Sequence, residues 1–592
     1  MNRMDLLSPL QQYFGFTSFR PAQERIIRSL LTGRDTLAVL PTGGGKSLCY
    51  QLPALCVSGL TVVISPLIAL MKDQVDALTA QNIPAAMLNS SLTDDDFRDR
   101  MRALKRGAFR LLYVAPERLE STSFLSFLAT LPIRMLIVDE AHCISEWGHE
   151  FRPSYRMIWK AVDALPRRPV IGAFTATATP RVREDIRAGL HLHDPAVFVE
   201  GFDRPNLFFD VRTDASDADI VRYVRSRRDD SGIIYCATRK RVEELYLTLA
   251  KAGLNVTKYH AGMSDEMRNR AQDDFVYDRC PLIVATNAFG MGIDKSNVRY
   301  VLHAQLPASM EAYYQEAGRA GRDGEPSDCI LCYHGQDVRI RKFIIEHNPG
   351  DADALKRLYE VVDYCKTDRC FRACLLRYFS AKTPARCGHC GNCQSPSLSQ
   401  DVTADALDIL RAVRATRERY GIAGISRILR ARLTESDVRS GLEDVAGYGA
   451  RSGQTDAAVR TEIERCLDGG YLYRHGTKYP LLALTARGEE VLQGTARVTV
   501  RVRRAPAEPI GIPSSPSSSS PLFTALRALR KEMAAEKNVP PYVIFNDATL
   551  AEMAVAKPRT LDEFGRIKGV GDHKKVAYGP AFIRIIQSME EL

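Results

Sequence analysis

Leu40-Pro41-Thr42-Gly43-Gly44-Gly45-Lys46-Ser47 follows an apolar run, Thr36-Leu37-Ala38-Val39, and leads into Leu48-Cys49-Tyr50-Gln51-Leu52, which can continue as a helix. Strand, glycine-rich turn, Lys-Ser, helix is the order that a phosphate-binding loop needs. Glycines let backbone N–H groups close around phosphate oxygens, the lysine supplies a point charge, and the serine hydroxyl can hold Mg²⁺. The helix N-terminus favours anions. The strict pattern puts Gly where this chain has Leu40. Alone, the stretch predicts a nucleoside triphosphate site and does not say what the energy is used for.

Outward from it, short apolar runs alternate with amphipathic stretches. Thr61–Pro66 reads as a buried strand and turn, Leu111–Glu117, Met135–Val138 and Val170–Thr175 as further strands, and Leu67–Leu78 as a helix. Continuous apolar strands alternating with helices predict a parallel sheet covered on both faces. Ligands then sit at the carboxyl ends of the strands. There the run Met135–Val138 delivers Asp139-Glu140-Ala141-His142. An Asp at that place can hold Mg²⁺, and the next carboxylate can polarise an attacking water. Thr175-Ala176-Thr177 offers hydroxyls nearby. Upstream, residues 8 to 34 read as helices and contain Phe14-Gly15-Phe16-Thr17-Ser18-Phe19-Arg20-Pro21-Ala22-Gln23. A Gln amide can both donate to and accept from one edge of adenine.

A second α/β pattern starts near Gly201, with strands at Gly232–Cys236, Val256–His260 and Leu282–Thr286 and a helix at Arg241–Ala250. It has no phosphate loop. It carries Gln315-Glu316-Ala317-Gly318-Arg319-Ala320-Gly321-Arg322. Two arginines three apart on a helical turn can point at one anion. If the second lobe faces the first, they become arginine fingers.

Pro41–Ser47, Asp139–His142, Thr175–Thr177 and Gln315–Arg322, in this order, resemble a superfamily 2 helicase, a family that tolerates Leu at position 40. Between the second and third lies His142-Cys143-Ile144-Ser145-Glu146-Trp147-Gly148-His149-Glu150-Phe151-Arg152-Pro153. This aromatic-rich loop is similar to the hallmark loop of the RecQ helicases, and Phe14–Gln23 resembles their motif 0. Trp147 and Phe151 can stack on unpaired bases, and Arg152 adds charge and stacking. In the family this loop links DNA contact to hydrolysis.

Cys387-Gly388-His389-Cys390-Gly391-Asn392-Cys393 places three thiolates two residues apart. A fourth would complete a structural tetrahedral zinc site, with Cys365, Cys370, Cys374 and His389 in reach. The RecQ resemblance picks Cys370. Residues 402 to 490 look helical and end in an alternating stretch around His475-Gly476 that reads as a β-hairpin. Helices then a hairpin suggest a winged helix, which RecQ proteins carry after the zinc module. Arg501–Pro521, basic and then Ser/Pro-rich, is a linker. Leu522–Leu592 resembles the HRDC domain through its blocks Pro540–Phe545 and Ile567–Gly571. In the second block, glycine amides can meet phosphate.

Bulk properties fit. At 592 residues the chain is too long for one core. A net charge of +10 leans towards a polyanionic partner. No apolar run approaches a membrane span, and scattered cysteines predict reduced thiols in a soluble intracellular protein. The expected architecture is multidomain α/β. Two RecA-like parallel-sheet lobes (1–200 and 201–335) precede a helical zinc-binding module (336–400), a winged helix (401–495), a flexible linker (496–520) and a small all-α HRDC domain (521–592).

The resemblance implies an ATP-dependent 3′→5′ DNA helicase of recombination, repair and replication. It would be cytoplasmic and nucleoid-associated, acting on single-stranded, forked or junction DNA, with single-stranded-DNA-binding protein and topoisomerase as partners. Its residues would divide as follows. Phe16, Arg20 and Gln23 hold the adenine end. Thr42, Gly43, Gly44, Gly45, Lys46 and Ser47 hold the phosphates of ATP, and Ser47 and Asp139 hold Mg²⁺. Glu140 activates water, and Gln315, Arg319 and Arg322 reach across from the second lobe. Cys370, Cys387, Cys390 and Cys393 hold zinc. Trp147, His149, Phe151, Arg152 and His475 touch DNA. An RNA helicase, or a DNA scaffold with a dead nucleotide site, are the alternatives.

Overall fold

The computed structural model describes residues 5–41, 43–66, 68–88, 94–145, 152–290, 295–347, 353–379, 383–395, 397–476, 480–503 and 520–590. Thr42, Trp147, His149 and Phe151 lie outside the described residues. Among the described residues no helix is long and apolar enough to cross a membrane. The chain divides into two compact units. One comprises Met1–Cys365, Arg372–Pro384 and Gly511–Leu592; the other comprises Lys366–Phe371 and Ala385–Ile510.

The first unit holds two parallel sheets. Strands β1 (Thr36–Val39), β2 (Leu60–Ile64), β3 (Ala85–Leu88), β4 (Leu111–Val114), β5 (Ile133–Val138), β6 (Val170–Thr175) and β7 (Ala196–Val199) lie in the order β3-β4-β2-β5-β6-β1-β7. Strands β1, β2 and β4 are buried at every position, as a sheet covered on both faces requires. Val39 stands level with Thr175, and Val138 with Ala173. The residues that follow β1, β5 and β6 therefore emerge at one edge. At the other end, buried Asp35 accepts from Arg168 Nη2 (2.7 Å), Ile171 N (2.9 Å) and His193 N (2.8 Å).

The second sheet is built from β8 (Leu207–Thr213), β9 (Ser231–Tyr235), β10 (Val256–Tyr259), β11 (Leu282–Ala285), β12 (Val298–His303) and β13 (Ser327–Tyr333), in the order β10-β11-β9-β12-β13-β8. Ile234, Val284, Leu302 and Ile330 are the centre of its core. Strands β3, β7, β8, β12 and β13 go beyond those legible as apolar runs. The helices of residues 8 to 34 are two, Leu7–Phe14 and Gln23–Leu31. The turn between them bends through left-handed Gly15 (φ 70°) and Ala22 (φ 68°).

The C-terminal helices of this unit, Pro521–Glu536, Asp547–Ala556 and Asp572–Glu590, enclose Leu526, Leu550, Phe564, Phe582 and Ile586. Arg530 is buried with them and donates to Asp547 and to the Phe545 carbonyl, each at 2.7 Å, so its charge is paired rather than stranded.

The second unit packs the helices Thr403–Ala415, Ile422–Leu429 and Asp456–Asp468 around Ile409, Ile425, Ile428 and Ile463. Here β15 (Leu472–His475) pairs antiparallel with β16 (Leu481–Leu484), and β14 (Ser397–Asp401) with β17 (Thr499–Arg503). Strand β17 corrects the expected linker of 496–520. Its residues 499–503 are sheet, because the alternation Thr499-Val500-Arg501-Val502-Arg503 finds a partner about a hundred residues upstream.

Candidate functional site

The glycine-rich turn leaves β1 and opens the helix Lys46–Cys56, with Gly45 left-handed at its N-cap (φ 78°). Lys46, Ser47, Asp139, Glu140, Gln315, Arg319 and Arg322 all line one cavity of about 430 Å³, with Phe16, Gly43 and Gly45. Both sheets contribute. A Cβ placed on Gly43 would stand 3.3 Å from Arg322 Cγ, so the second-lobe arginine lies directly over the turn.

Lys46 Nζ pairs with Glu140 Oε1 at 3.1 Å. Glu140 Oε2 faces His142 Nδ1 at 3.3 Å, and that same nitrogen is 2.9 Å from Thr175 Oγ1. Burial alone would push the Glu140 carboxyl up, but the Lys46 and His142 charges outweigh it and hold the group below the usual range. Asp139 goes the other way. Burial first, and the adjacent Glu140 charge second, push it up to about 6. Tyr155 fixes it from behind, its hydroxyl donating to the Asp139 carbonyl at 2.8 Å. Glu140 itself is left-handed (φ 47°), a costly conformation for a residue with a side chain. Paired ammonium and carboxylate, a second carboxylate of raised pKa and two arginines suit a bound polyphosphate and a polarised water.

Not every expected residue touches the cavity. Gln23 is buried against the turn. Its amide donates to the carbonyls of Gly44 (3.4 Å) and Gly45 (3.3 Å), and its oxygen accepts from Arg20 N (2.8 Å). The Arg20 guanidinium donates to the Gly43 carbonyl. Both therefore brace the turn from outside. Arg319 and Arg322 are not on a helix. The helix Met310–Ala317 stops before them, at Gly318, and they sit in the turn that follows.

In the second unit Cys370, Cys387, Cys390 and Cys393 gather with their four sulfurs all within 4.8 Å of one another. Cys387 and Cys393 are 4.0 Å apart, and Cys390 and Cys370 are 3.8 Å apart. A thiolate tetrahedron around Zn²⁺ at about 2.3 Å has edges of about 3.8 Å, so the donor set and its spacing fit that ion. Of the fourth-ligand candidates it is Cys370 that joins. Asn392 Nδ2 holds the approach to it through the carbonyls of Thr367 (2.9 Å) and Arg369 (2.6 Å).

Family models match successive parts of the chain: a DEAD/DEAH box helicase at residues 20–186, a helicase conserved C-terminal domain at 216–324, a RecQ zinc-binding module at 335–394, an RQC domain at 396–509 and an HRDC domain at 519–586. A Bacillus subtilis protein named ATP-dependent DNA helicase RecQ is 42% identical, covering 98% of both chains. A Haemophilus influenzae protein of the same name is 37% identical over 98% of this chain and 95% of its own. The chain belongs to the RecQ helicase family.

In this RecQ-family chain the expected DNA-contacting residues fare unevenly. Trp147, His149 and Phe151 lie outside the described residues. Arg152 is partly buried, and its guanidinium donates to the Pro66 carbonyl at 2.9 Å. His475 is exposed at the end of β15, beside Tyr473, which is 49% exposed. In the HRDC block Ile567–Gly571 the amide of Gly569 is already taken, donating to the Gly15 carbonyl at 3.3 Å. A Cβ on Gly15 would come within 2.6 Å of Gly571 N, so this close approach needs glycine.

Tyr542, Val543, Asn546 and Lys574, all from the HRDC part, line the same cavity as Lys46 and Arg322. Sequence reading did not foresee them. Pro540–Phe545 signalled the HRDC resemblance, but no local pattern relates it to a loop some five hundred residues earlier.

Proposed function

We propose that this RecQ-family helicase hydrolyses ATP between its two parallel-sheet lobes and uses the cycle to move 3′→5′ along single-stranded DNA and open duplexes. The observation that carries the reading is the Arg322 side chain lying over Gly43 in the cavity that also holds Lys46, Asp139 and Glu140. ATP would place its phosphates at Gly43–Ser47 and its adenine end towards Phe16, with Arg20 and Gln23 bracing the turn. Lys46 would exchange Glu140 for phosphate oxygens. That exchange frees the Glu140 carboxylate to polarise water. Arg319 and Arg322, with Gln315 beside them, would meet the charge that develops on the transferring phosphoryl group.

Ser47 and Asp139 offer hard oxygen donors on the cavity wall and would hold Mg²⁺, which when bound neutralises phosphate charge. Loss of the phosphoryl group removes the bridge between the lobes and lets them part, and alternate closure advances the protein along a strand. Trp147 and Phe151 would stack on bases, with His149 beside them, and His475 on the hairpin would meet the duplex. Family membership favours work in recombination, repair and replication, on forks and junctions, alongside single-stranded-DNA-binding protein and topoisomerase at the nucleoid.

The test measures ATP hydrolysis with no nucleic acid, with single-stranded DNA and with single-stranded RNA, then strand displacement on 3′-tailed and 5′-tailed duplexes. Stimulation by DNA and displacement of the 3′-tailed duplex are expected. Stimulation by RNA alone, or displacement only from 5′ tails, would reject it.

A further inference from the structure

Strand β7 ends at Val199 and β8 begins at Leu207, so residues 200–206 carry the chain from the first sheet to the second. Arg372, 4% exposed, grips this connector. Its Nη1 donates to Asp203 Oδ1 (2.6 Å) and the Arg204 carbonyl (2.8 Å), and its Nη2 to the carbonyls of Pro205 (3.3 Å) and Leu207. Phe379, which directly follows the helix Phe371–Tyr378 that carries Arg372, stacks on Phe202 with ring centroids 4.8 Å apart.

The connector in turn grips the arginine turn of the second lobe. Arg204 donates to the carbonyls of Gly318 (2.7 Å), Ala320 (2.9 Å) and Gly321. Asn206 Nδ2 donates to the carbonyls of Gly321 (3.0 Å) and Glu325 (2.9 Å). These carbonyls follow the end of the helix Met310–Ala317, where backbone acceptors lose their intrahelical partners and a cation is favoured. A planar guanidinium can hold several of them at once, which an ammonium cannot. Gly321 is left-handed (φ 55°), and a Cβ there would come within 2.5 Å of Asn206 Nδ2. Burial, reinforced by the charges of Arg322 and Arg20, pushes Arg204 down to about 10. The three guanidiniums therefore share one neighbourhood.

Arg319 stands between two of the gripped carbonyls and Arg322 directly follows the third. Neither Arg204 nor Arg372 is among the residues that line the cavity. We propose that Arg204, seated by Arg372, is a positioning residue for hydrolysis: it locks the arginine turn to the inter-lobe connector, so that Arg319 and Arg322 move with the connector as one piece. The proposal rests on Arg319 and Arg322 being the groups that meet the transferring phosphoryl. A misplacement of about 1 Å in such a group costs on the order of 10²-fold in rate.

DNA-stimulated ATP hydrolysis by the full chain tests this with Arg204→Gln, Arg204→Lys, Asn206→Ala, Arg322→Ala and the double variant Arg204→Gln/Arg322→Ala. Arg204→Gln should lower kcat by about 10²-fold while KM for ATP moves less than about twofold. Arg204→Lys keeps the charge without the fork and should restore only part of the loss. In the Arg322→Ala background, Arg204→Gln should cost clearly less than in the parent, because one of the two arginines it positions is already removed and only Arg319 is left to misplace. An unchanged kcat, a rise in KM alone, or a full further loss in that background overturns the proposal. Should Arg204→Gln fail to fold, Asn206→Ala removes only the contacts to Gly321 and Glu325, and a kcat equal to the parent's overturns it equally. If Arg322→Ala itself hydrolyses ATP at the parent rate, the arginine reading fails, and the relay with it.

Discussion

Lys46 Nζ stands 3.1 Å from Glu140 Oε1, an ion pair across the mouth of the glycine-rich turn with both side chains mostly shielded from water. The lysine occupies the carboxylate that the proposed chemistry needs free, and arriving phosphate would trade places with it. Lys46→Ala removes both the phosphate contact and the partner that keeps Glu140 ionised. The expected result is a fall in DNA-stimulated ATPase of about 10²-fold or more and no strand displacement, with far-UV circular dichroism unchanged. Retained displacement would refute the assignment.

Asp139 sets a pH limit. Burial first and Glu140 second push its carboxyl up to about 6, so it takes up a proton as pH falls through that value. The folded state then holds this proton more tightly than the unfolded chain does. Asp139 thus favours folding at low pH, and that contribution is lost as pH rises through about 6. Metal binding has the opposite demand, because Mg²⁺ needs the carboxylate. Mg²⁺-dependent binding of a fluorescent ATP analogue should therefore weaken by about tenfold per unit below pH 6, and Asp139→Asn should abolish this dependence. A flat profile from pH 7 to 5 in the parent would show that Asp139 does not hold the metal.

What could be read from the chain alone was the chemistry that local order dictates. Gly43–Ser47 needs contiguous residues to wrap phosphate, and Asp139-Glu140 needs a buried strand before it, so both are legible as short words. The three close cysteines are equally local, whereas Cys370 came from resemblance. Other features depend on partners far along the chain. Strand β17 hid inside a basic stretch because only pairing with β14 makes it a strand. Arg319 and Arg322 show helical spacing, yet the helix ends at Gly318, where Arg204 and not the next turn satisfies the carbonyls. The bond from Arg152 to the Pro66 carbonyl likewise joins residues far apart in the chain, and no local pattern announces it.

The cysteine cluster gives a stoichiometric prediction. Four thiolates at tetrahedral spacing leave no open position, so the ion would be structural. Elemental analysis of the purified chain should find one zinc per molecule, and Cys390→Ser should lose it. Limited proteolysis of that variant should open new sites between residues 366 and 395, because binding of the ion is there part of folding. A parent chain that folds free of metal and resists protease equally would contradict a structural ion.

Lys574 brings a charge of the HRDC part to the cavity wall. Its ammonium donates to the Val543 carbonyl at 2.8 Å and lies over the Phe545 ring at 5.6 Å, and burial holds its pKa down to about 8. Beside a nucleotide of several negative charges the protonated form is favoured, so the pKa should rise on binding and a proton should be taken up. Affinity for ATP should then fall as pH climbs from about 8 towards 10, the range in which the free protein loses the charge and the complex keeps it. Lys574→Ala should weaken ATP binding by about tenfold at pH 7, a loss of the order expected for one charge-assisted contact, and should flatten the profile above pH 8. Isothermal titration in two buffers of different ionisation enthalpy reads affinity and proton uptake together. Equal affinity and equal proton uptake in parent and variant would show that nucleotide binds without feeling the HRDC lysine.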